Sequence, residues 1–365
     1  MKVTRRISRR VVVGKNRPKP VLIGGGAPIS VQGMTKTDTE DRDATIDQIL
    51  RMADAGCEIV RVSVPTPRAA DQMEAIVKAS PIPVVADIHF DWRLALRALD
   101  AGVDKLRINP GNIGSREKIK EVVERAKERG VPIRVGVNSG SLEKDILEKH
   151  GYPKPEALVE SAIRHLRYLE DLGHTEAVVS VKASDVTTMI EAYRLLAAAV
   201  DYPLHLGVTE SGTVPSGTVR SSVGLGVLLA EGIGDTIRVS LAGEVADEIR
   251  VAREILKSLD LRVFGPTVVA CPTCARCDID VFKVAAEVEQ KLKGVTLPLR
   301  ISVLGCAVNG PGEARESDIG IAGGPGFGIL FRHGEKVGRV EERDMIDRLI
   351  DEVKKMEKEA VEQRG

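Results

Sequence analysis

Eight short runs rich in β-branched residues, each followed by a helical stretch, fill the first 260 or so residues and constrain the fold more than any other feature. They are PISVQ (28–32), IVRVSV (59–64), PVVADIH (83–89), KLRIN (105–109), PIRVGVN (132–138), AVVSVKA (177–183), PLHLGVT (203–209) and TIRVSL (236–241). The stretches between them are amphipathic. In SREKIKEVVERAKERG, Ser115 suits an N-cap, Gly130 suits a C-terminal stop, and Ile119, Val122, Val123 and Ala126 share one face. Strands that alternate with helices imply parallel crossovers, and eight such units predict a closed (β/α)8 TIM barrel. A doubly wound open sheet is the alternative, but no GxGxxG follows a first strand.

The pattern changes near LRVFGPTVVACPTC. A helix in DIDVFKVAAEVEQKLKG, strand-like runs LRISVLGCA, SDIGIAGG and FGILFRHG, and a last helix from about Glu341 describe a smaller α+β unit. The boundary falls near 262, giving domains 1–262 and 263–365 of the 365 residues.

Side chains two apart on a strand share a face. On that reading Arg61 pairs with Ser63, Asp87 with His89, and Arg107 with Asn109. Arg134 pairs with Asn138 across Gly136, Ser180 with Lys182, and Arg238 with Ser240. Six of the eight strands thus carry a polar face near their C-terminal ends, and five of those six carry a cation. One such arginine is adequately explained as a rim salt bridge. Five point to a shared anionic ligand at the barrel mouth, where ligand sites of this fold form. Forked guanidinium donors suit phosphate oxygens, and a diphosphate matches the charge better than one carboxylate. Asp87 and Glu210 are too few to neutralise the cluster. Gly111 and Gly114 in NPGNIG let backbone amides approach such a ligand.

Composition narrows the partners. Lysine plus arginine equals aspartate plus glutamate at 53 each, and aromatics make up only 3%. Neither favours nucleic acid nor an anionic membrane surface. The start MKVTRRISRR lacks the apolar run of a secretory signal and reads as a solvated edge beside RVVVG. No apolar stretch approaches the roughly 18 residues of a membrane span, so a soluble, cytoplasmic protein is expected.

Five cysteines are an odd count for a disulfide framework. Cys271, Cys274 and Cys277 form CPTCARC, and Cys306 lies in LGCAVNGPGE. Thiolates select soft metals. No second CxxC accompanies the first, and His333 is the one histidine after residue 262, which is poor for structural zinc. Asp278 follows Cys277 where a ferredoxin run would continue toward another cysteine. An iron–sulfur cluster is the favoured reading, with zinc the alternative. Cys57, in ADAGCEIVRV, reads as buried packing.

Taken in order, RINPGNIG (107–114), SVKASDV (180–186), HLGVTESG (205–212), EGIGDTIRVSL (231–241), CPTC (271–274) and GCAVNGPGE (305–313) closely resemble the 4-hydroxy-3-methylbut-2-enyl diphosphate synthase family, in its bacterial two-domain form. The resemblance runs from APISVQGMT to the last helix. It implies a TIM barrel followed by a domain like the cluster domains of sulfite and nitrite reductases. It implies a [4Fe–4S] cluster held by Cys271, Cys274, Cys306 and Glu313, with Cys277 extra. A carboxylate is a harder, weaker partner for iron than a thiolate, which suits a ligand that can leave. The implied reaction is the two-electron ring opening of 2-C-methyl-D-erythritol 2,4-cyclodiphosphate. Arg61, Arg107, Arg134, Lys182 and Arg238 would bind the substrate, and Asp87, Asn109, Asn138 and Ser240 would orient it. Glu210 is the candidate proton donor; its bland reading is a salt bridge to a mouth arginine. A ferredoxin or flavodoxin donor and a head-to-tail homodimer are also implied. Gly33, Arg220 and Phe264 depart from the residues usual in the family, which puts fine ligand contacts in question. The rivals are a phosphate-binding lyase or aldolase using Lys182 as a Schiff base beside structural zinc, and a non-catalytic module stapled by its cluster.

Overall fold

Parallel strands cannot be joined by tight turns, so each strand-to-strand step in the first part of this chain is made by a helix that lays its apolar stripe on the sheet. The computed structural model describes residues 3–109, 113, 115–306, 312, 314 and 316–362. The chain divides into two compact units, 1–262 and 263–365.

The first unit opens with a hairpin of β1 (Val11–Val13) and β2 (Val21–Ile23). Eight parallel strands follow: β3 (Ser30–Met34), β4 (Ile59–Ser63), β5 (Val84–Ile88), β6 (Lys105–Ile108), β7 (Ile133–Asn138), β8 (Ala177–Lys182), β9 (His205–Leu206) and β10 (Thr236–Ile237). Neighbours run β8-β7-β6-β5-β4-β3-β10-β9, and a parallel bridge between Val179 and Leu204 joins the two ends of the sheet into a ring. The expected barrel is therefore present. Its last two strands are shorter than PLHLGVT and TIRVSL suggest. A β-carbon on Gly207 would sit 2.7 Å from Lys182 Nζ and 2.8 Å from the Arg238 carbonyl, so no side chain fits at that position.

Helix starts are set by side-chain caps: Asp41 accepts from Ala44 N, Thr66 from Ala69 N ahead of Pro67, and Asp185 from Thr188 N. Ser115 occupies the N-cap position before Arg116–Arg129 without making a side-chain cap bond, whereas Gly130 closes that helix at φ 62° as expected. Ile119, Val122, Val123 and Ala126 are all buried.

The N-terminal end of the barrel is plugged by the hairpin. Val11, Val13 and Ile23 pack with Ile59, Val85 and Val178 from three barrel strands. Arg17, between β1 and β2, donates to Asp104 Oδ2 (2.7 Å), the Ser80 carbonyl (2.7 Å) and the Val77 carbonyl (3.0 Å). The basic opening segment is not the solvated edge its sequence suggests. Arg5 reaches Asp235 at 3.1 Å and the Ala27 carbonyl, and Arg6 donates to the Val200 and Tyr202 carbonyls. These arginines satisfy carbonyls near a helix end and below the ring, which a short charged run does not announce.

The second unit is a five-stranded mixed sheet in the order β11 (Thr267–Ala270), β12 (Arg300–Leu304), β13 (Ile319–Gly324), β14 (Phe327–Arg332) and β15 (Glu335–Glu341). The first three strands run parallel and the last three are successively antiparallel. Helices Val281–Lys291 and Met345–Glu362 cover it, with Val284, Val288, Leu349, Ile350 and Val353 in its core. The charged strand β15 escapes sequence reading because it is an exposed edge rich in Glu, Lys and Arg. It also moves the start of the last helix from about Glu341 to Met345.

Candidate active site

Strand alternation places the charges. Ladder partners Ser63–Asp87, Asp87–Arg107, Arg107–Arg134, Gly136–Ser180 and Asn138–Lys182 bring successive polar residues side by side around the ring. Asp87 is the hub of one group. It accepts from Arg107 Nη1 at 3.1 Å, with Arg61 Nε at 3.5 Å and His89 Nε2 at 3.8 Å. Arg107 also donates to the Gly136 carbonyl at 3.1 Å. A β-carbon on Gly136 would lie 2.6 Å from Arg107 Nε, so the glycine makes the room the guanidinium occupies. Arg61 leans on Met34, with Nη2 2.8 Å from its sulfur. A second group holds Arg134, whose Nη1 donates to Ser180 Oγ at 2.7 Å, with Lys182 alongside. In a third, Arg238 stands 3.9 Å from Glu248, which also takes Lys36 at 3.0 Å.

Asp87, Arg107, Arg134 and Lys182 are all buried. Burial opposes the charge of Asp87, but Arg61, Arg107, His89 and Arg134 outweigh it and hold the carboxyl at about 2. Burial pushes Arg61 down to about 9, still protonated at neutral pH, against the pull of Asp87. Burial, then repulsion from Arg134, Arg61, Arg238 and Arg107, holds Lys182 well below the usual lysine range. Taking so many like charges out of water is costly unless something compensates. Among the described residues, Arg107 Nε, Arg134 Nε and Nη2, and Arg238 Nε are buried donors without a hydrogen-bond acceptor. A polyanion is the kind of ligand whose oxygens could satisfy them.

Four residues in this interior lie outside the sequence prediction. Gln32 on β3 and His205 on β9 complete the ring, so that all eight strands bear an inward polar group. Lys105 on β6 is fully enclosed, its Nζ 3.4 Å from Gln32 Oε1. Glu248 enters from the helix Val245–Ser258 and accepts from Leu241 N at 2.9 Å. Three of the four carry a signal in the sequence. Lys105 stands two residues before Arg107, and His205 two before Gly207. Glu248 shares the helical stripe of Val245, Ile249 and Ala252.

The mouth residues are less tightly tied. Asn109 is buried and donates to Ser141 Oγ at 2.9 Å. With its amide turned to satisfy both ends, Asn138 accepts from Arg107 Nη2 at 3.2 Å. The Ser240 carbonyl accepts from Ser211 Oγ. Glu210 is exposed at φ 53°, a left-handed conformation that costs a non-glycine residue, and no ion pair among the described residues ties it to a mouth cation. Gly111 and Gly114 lie outside the described residues. Gly33 faces away from the mouth: a β-carbon there would strike Met52 Cε and approach Cys57 Sγ to 3.2 Å, so this departure concerns packing. Arg220 donates to the Ser211 carbonyl at 3.3 Å. Cys57 is buried packing as expected; its thiol donates to the Ile59 carbonyl at 3.1 Å, and burial pushes it up to about 12.

In the second unit, Cys271 and Cys306 follow the C-terminal ends of adjacent parallel strands, β11 and β12, at the edge where parallel sheets place their ligands. Thr273 takes a left-handed φ of 67° and directs its N–H toward Cys271 Sγ at 3.4 Å. None of the five cysteines is in a disulfide. The donor set is soft and fits an iron–sulfur group. Among the described residues no three metal-ligating side chains form a closed site; Glu313 lies outside the described residues. Cys277 is engaged elsewhere. Its thiol donates to the Ile279 carbonyl at 3.0 Å and its sulfur fills the space a β-carbon on Gly305 would take.

Among the described residues no helix is long and apolar enough to cross a membrane. Part of the chain is similar in fold to an N-acetylneuraminic acid (sialic acid) synthetase from Leptospira borgpetersenii solved with citrate. That match is 12% identical at a TM-score of 0.50, over 70% of this chain and 92% of that one. Two relatives share far more. A 4-hydroxy-3-methylbut-2-en-1-yl diphosphate synthase (flavodoxin) of Geobacter sulfurreducens is 58% identical over 96% of this chain and 98% of its own length. The enzyme of the same description from Anoxybacillus flavithermus is 54% identical over 95% and 97%. The GcpE TIM-barrel domain matches residues 8–253 and the GcpE protein C-terminal domain matches 267–355, so with both units accounted for the chain belongs to the GcpE family.

Proposed function

We propose that this chain catalyses the reductive ring opening of 2-C-methyl-D-erythritol 2,4-cyclodiphosphate. Two electrons and two protons convert it to (E)-4-hydroxy-3-methylbut-2-enyl diphosphate and water. The observation that carries this reading is the set of buried guanidinium donors without acceptors inside the barrel of a GcpE-family chain. Arg61, Arg107, Arg134, Lys182 and Arg238 grip the diphosphate. Asp87 fixes Arg61 and Arg107, and Asn109, Asn138 and Ser240 orient the carbon skeleton. The same cations stabilise the charge that develops on diphosphate oxygen as its bond to carbon breaks. Glu210, held at the mouth in a strained conformation, delivers a proton. A [4Fe–4S] cluster, when bound, supplies electrons one at a time. Cys271, Cys274, Cys306 and Glu313 would hold it. The commitment of Cys277 to the Ile279 carbonyl supports leaving that thiol out. The donor is a flavodoxin, in keeping with the description of the relatives. The working form is a head-to-tail homodimer in the cytoplasm.

Anaerobic assay of the iron-loaded protein with the cyclodiphosphate and a chemical reductant is expected to give the linear diphosphate; no product under those conditions refutes the reading. Glu313→Ala should lose iron or turnover and Cys277→Ser should keep both, and the reverse pattern overturns the ligand set. Glu210→Gln should bind substrate and turn over slowly by about 100-fold or more; undiminished turnover removes Glu210 from the chemistry.

A further inference from the structure

The floor of the cation cluster differs from its rim. Lys105 is fully enclosed, near the N-terminal end of its strand and below Arg107. Its hydrogen-bond partner is the neutral Gln32 Oε1, at a long 3.4 Å. The charged and titratable groups sharing the barrel interior with it are Arg61 from β4, Asp87 from β5, Arg107 from its own strand, Arg134 from β7, Lys182 from β8, His205 from β9, Arg238 after β10, and Glu248 from the helix Val245–Ser258, which is taken up by Arg238 and Lys36. Asp87 is already committed to Arg61 and Arg107. An arginine in such a place keeps its proton, whereas a lysine can give it up. Burial, with repulsion from Arg134 and Arg61, holds Lys105 well below the ordinary lysine range.

We propose that Lys105 is a reserve cation beneath the anion site: a neutral amine in the ligand-free barrel that takes a proton from solvent when the cyclic diphosphate settles above it. This rests on the functional reading above and deepens it. One proton leaves the buffer and joins the amine lone pair, and no bond of the substrate changes. The ligand-free fold is spared one more buried like charge, and the bound anion meets one more cation. Because binding takes up a proton, affinity weakens as pH rises, by up to about tenfold per pH unit where the uptake is complete.

Calorimetric titration of the iron-loaded protein with the cyclodiphosphate, without air, in two buffers of different ionisation enthalpy reads this directly. Wild type should show net proton uptake. Lys105→Met should lower that uptake by about one proton, flatten the pH dependence and weaken binding by about tenfold or more, with a melting temperature no lower than wild type. Lys105→Arg, which enters already charged, should likewise lose the uptake. Unchanged uptake in either variant, or buffer-independent heats in wild type, overturns the proposal. Failure of wild type to bind the cyclodiphosphate sinks the functional reading instead, and inorganic diphosphate as ligand then tests Lys105 on its own.

Discussion

Asp87 shows what one side chain does when its surroundings are all of opposite sign. Its folded carboxyl titrates at about 2 against an ordinary 3.8. The stabilisation this represents is complete above about pH 4 and disappears as pH falls through about 2, and amounts to roughly 2 kcal/mol at neutrality. Asp87→Asn should therefore be less stable than wild type by roughly that amount in urea at about pH 7, and the gap should close near pH 2. Equal stability of the two proteins at neutral pH would remove Asp87 as the clamp of Arg61 and Arg107. Arg61, Arg107 and Arg134 were legible in the sequence because each has apolar neighbours on both sides within a strand-like run. Lys105 had only its spacing of two from Arg107 to mark it, and a cation at the start of a strand lies where no mouth is expected, so its burial is what reveals that the interior is polar so far down.

At the level of elements, strand β3 shows how a helix ring limits its strands. Gly33 leaves no room for a side chain between Met52, Ile249 and Cys57. Gly33→Ser should cost about 1–3 kcal/mol by overpacking. Shortening Met52 to Val in the same protein should recover much of that loss, a coupling expected of touching residues. Substrate affinity should hold throughout, because the position faces the helices. A thermal melt of the single and double variants checks the first point, and a large rise in KM would contradict the second. The eight strands were readable from their β-branched runs, yet β9 and β10 keep regular pairing over only two residues each, a limit no run of letters displays. The edge strand β15 stayed hidden for the opposite reason, its charges reading as loop.

For the whole molecule, two units with separate cores predict separable melting. A ligand held by one unit stabilises that unit by mass action. Removing iron with a chelator should lower one calorimetric transition by several degrees and leave the barrel transition in place; a single transition that moves as one would show that the units melt together. The tie between Arg5 and Asp235 spans 230 residues. A nascent chain leaving the ribosome therefore carries its first arginines in search of partners not yet synthesised, and the ring can be locked only when nearly all of its staves have emerged. Such long-range closure is slow, so this protein should depend on chaperone shelter during synthesis more than its local helical content suggests.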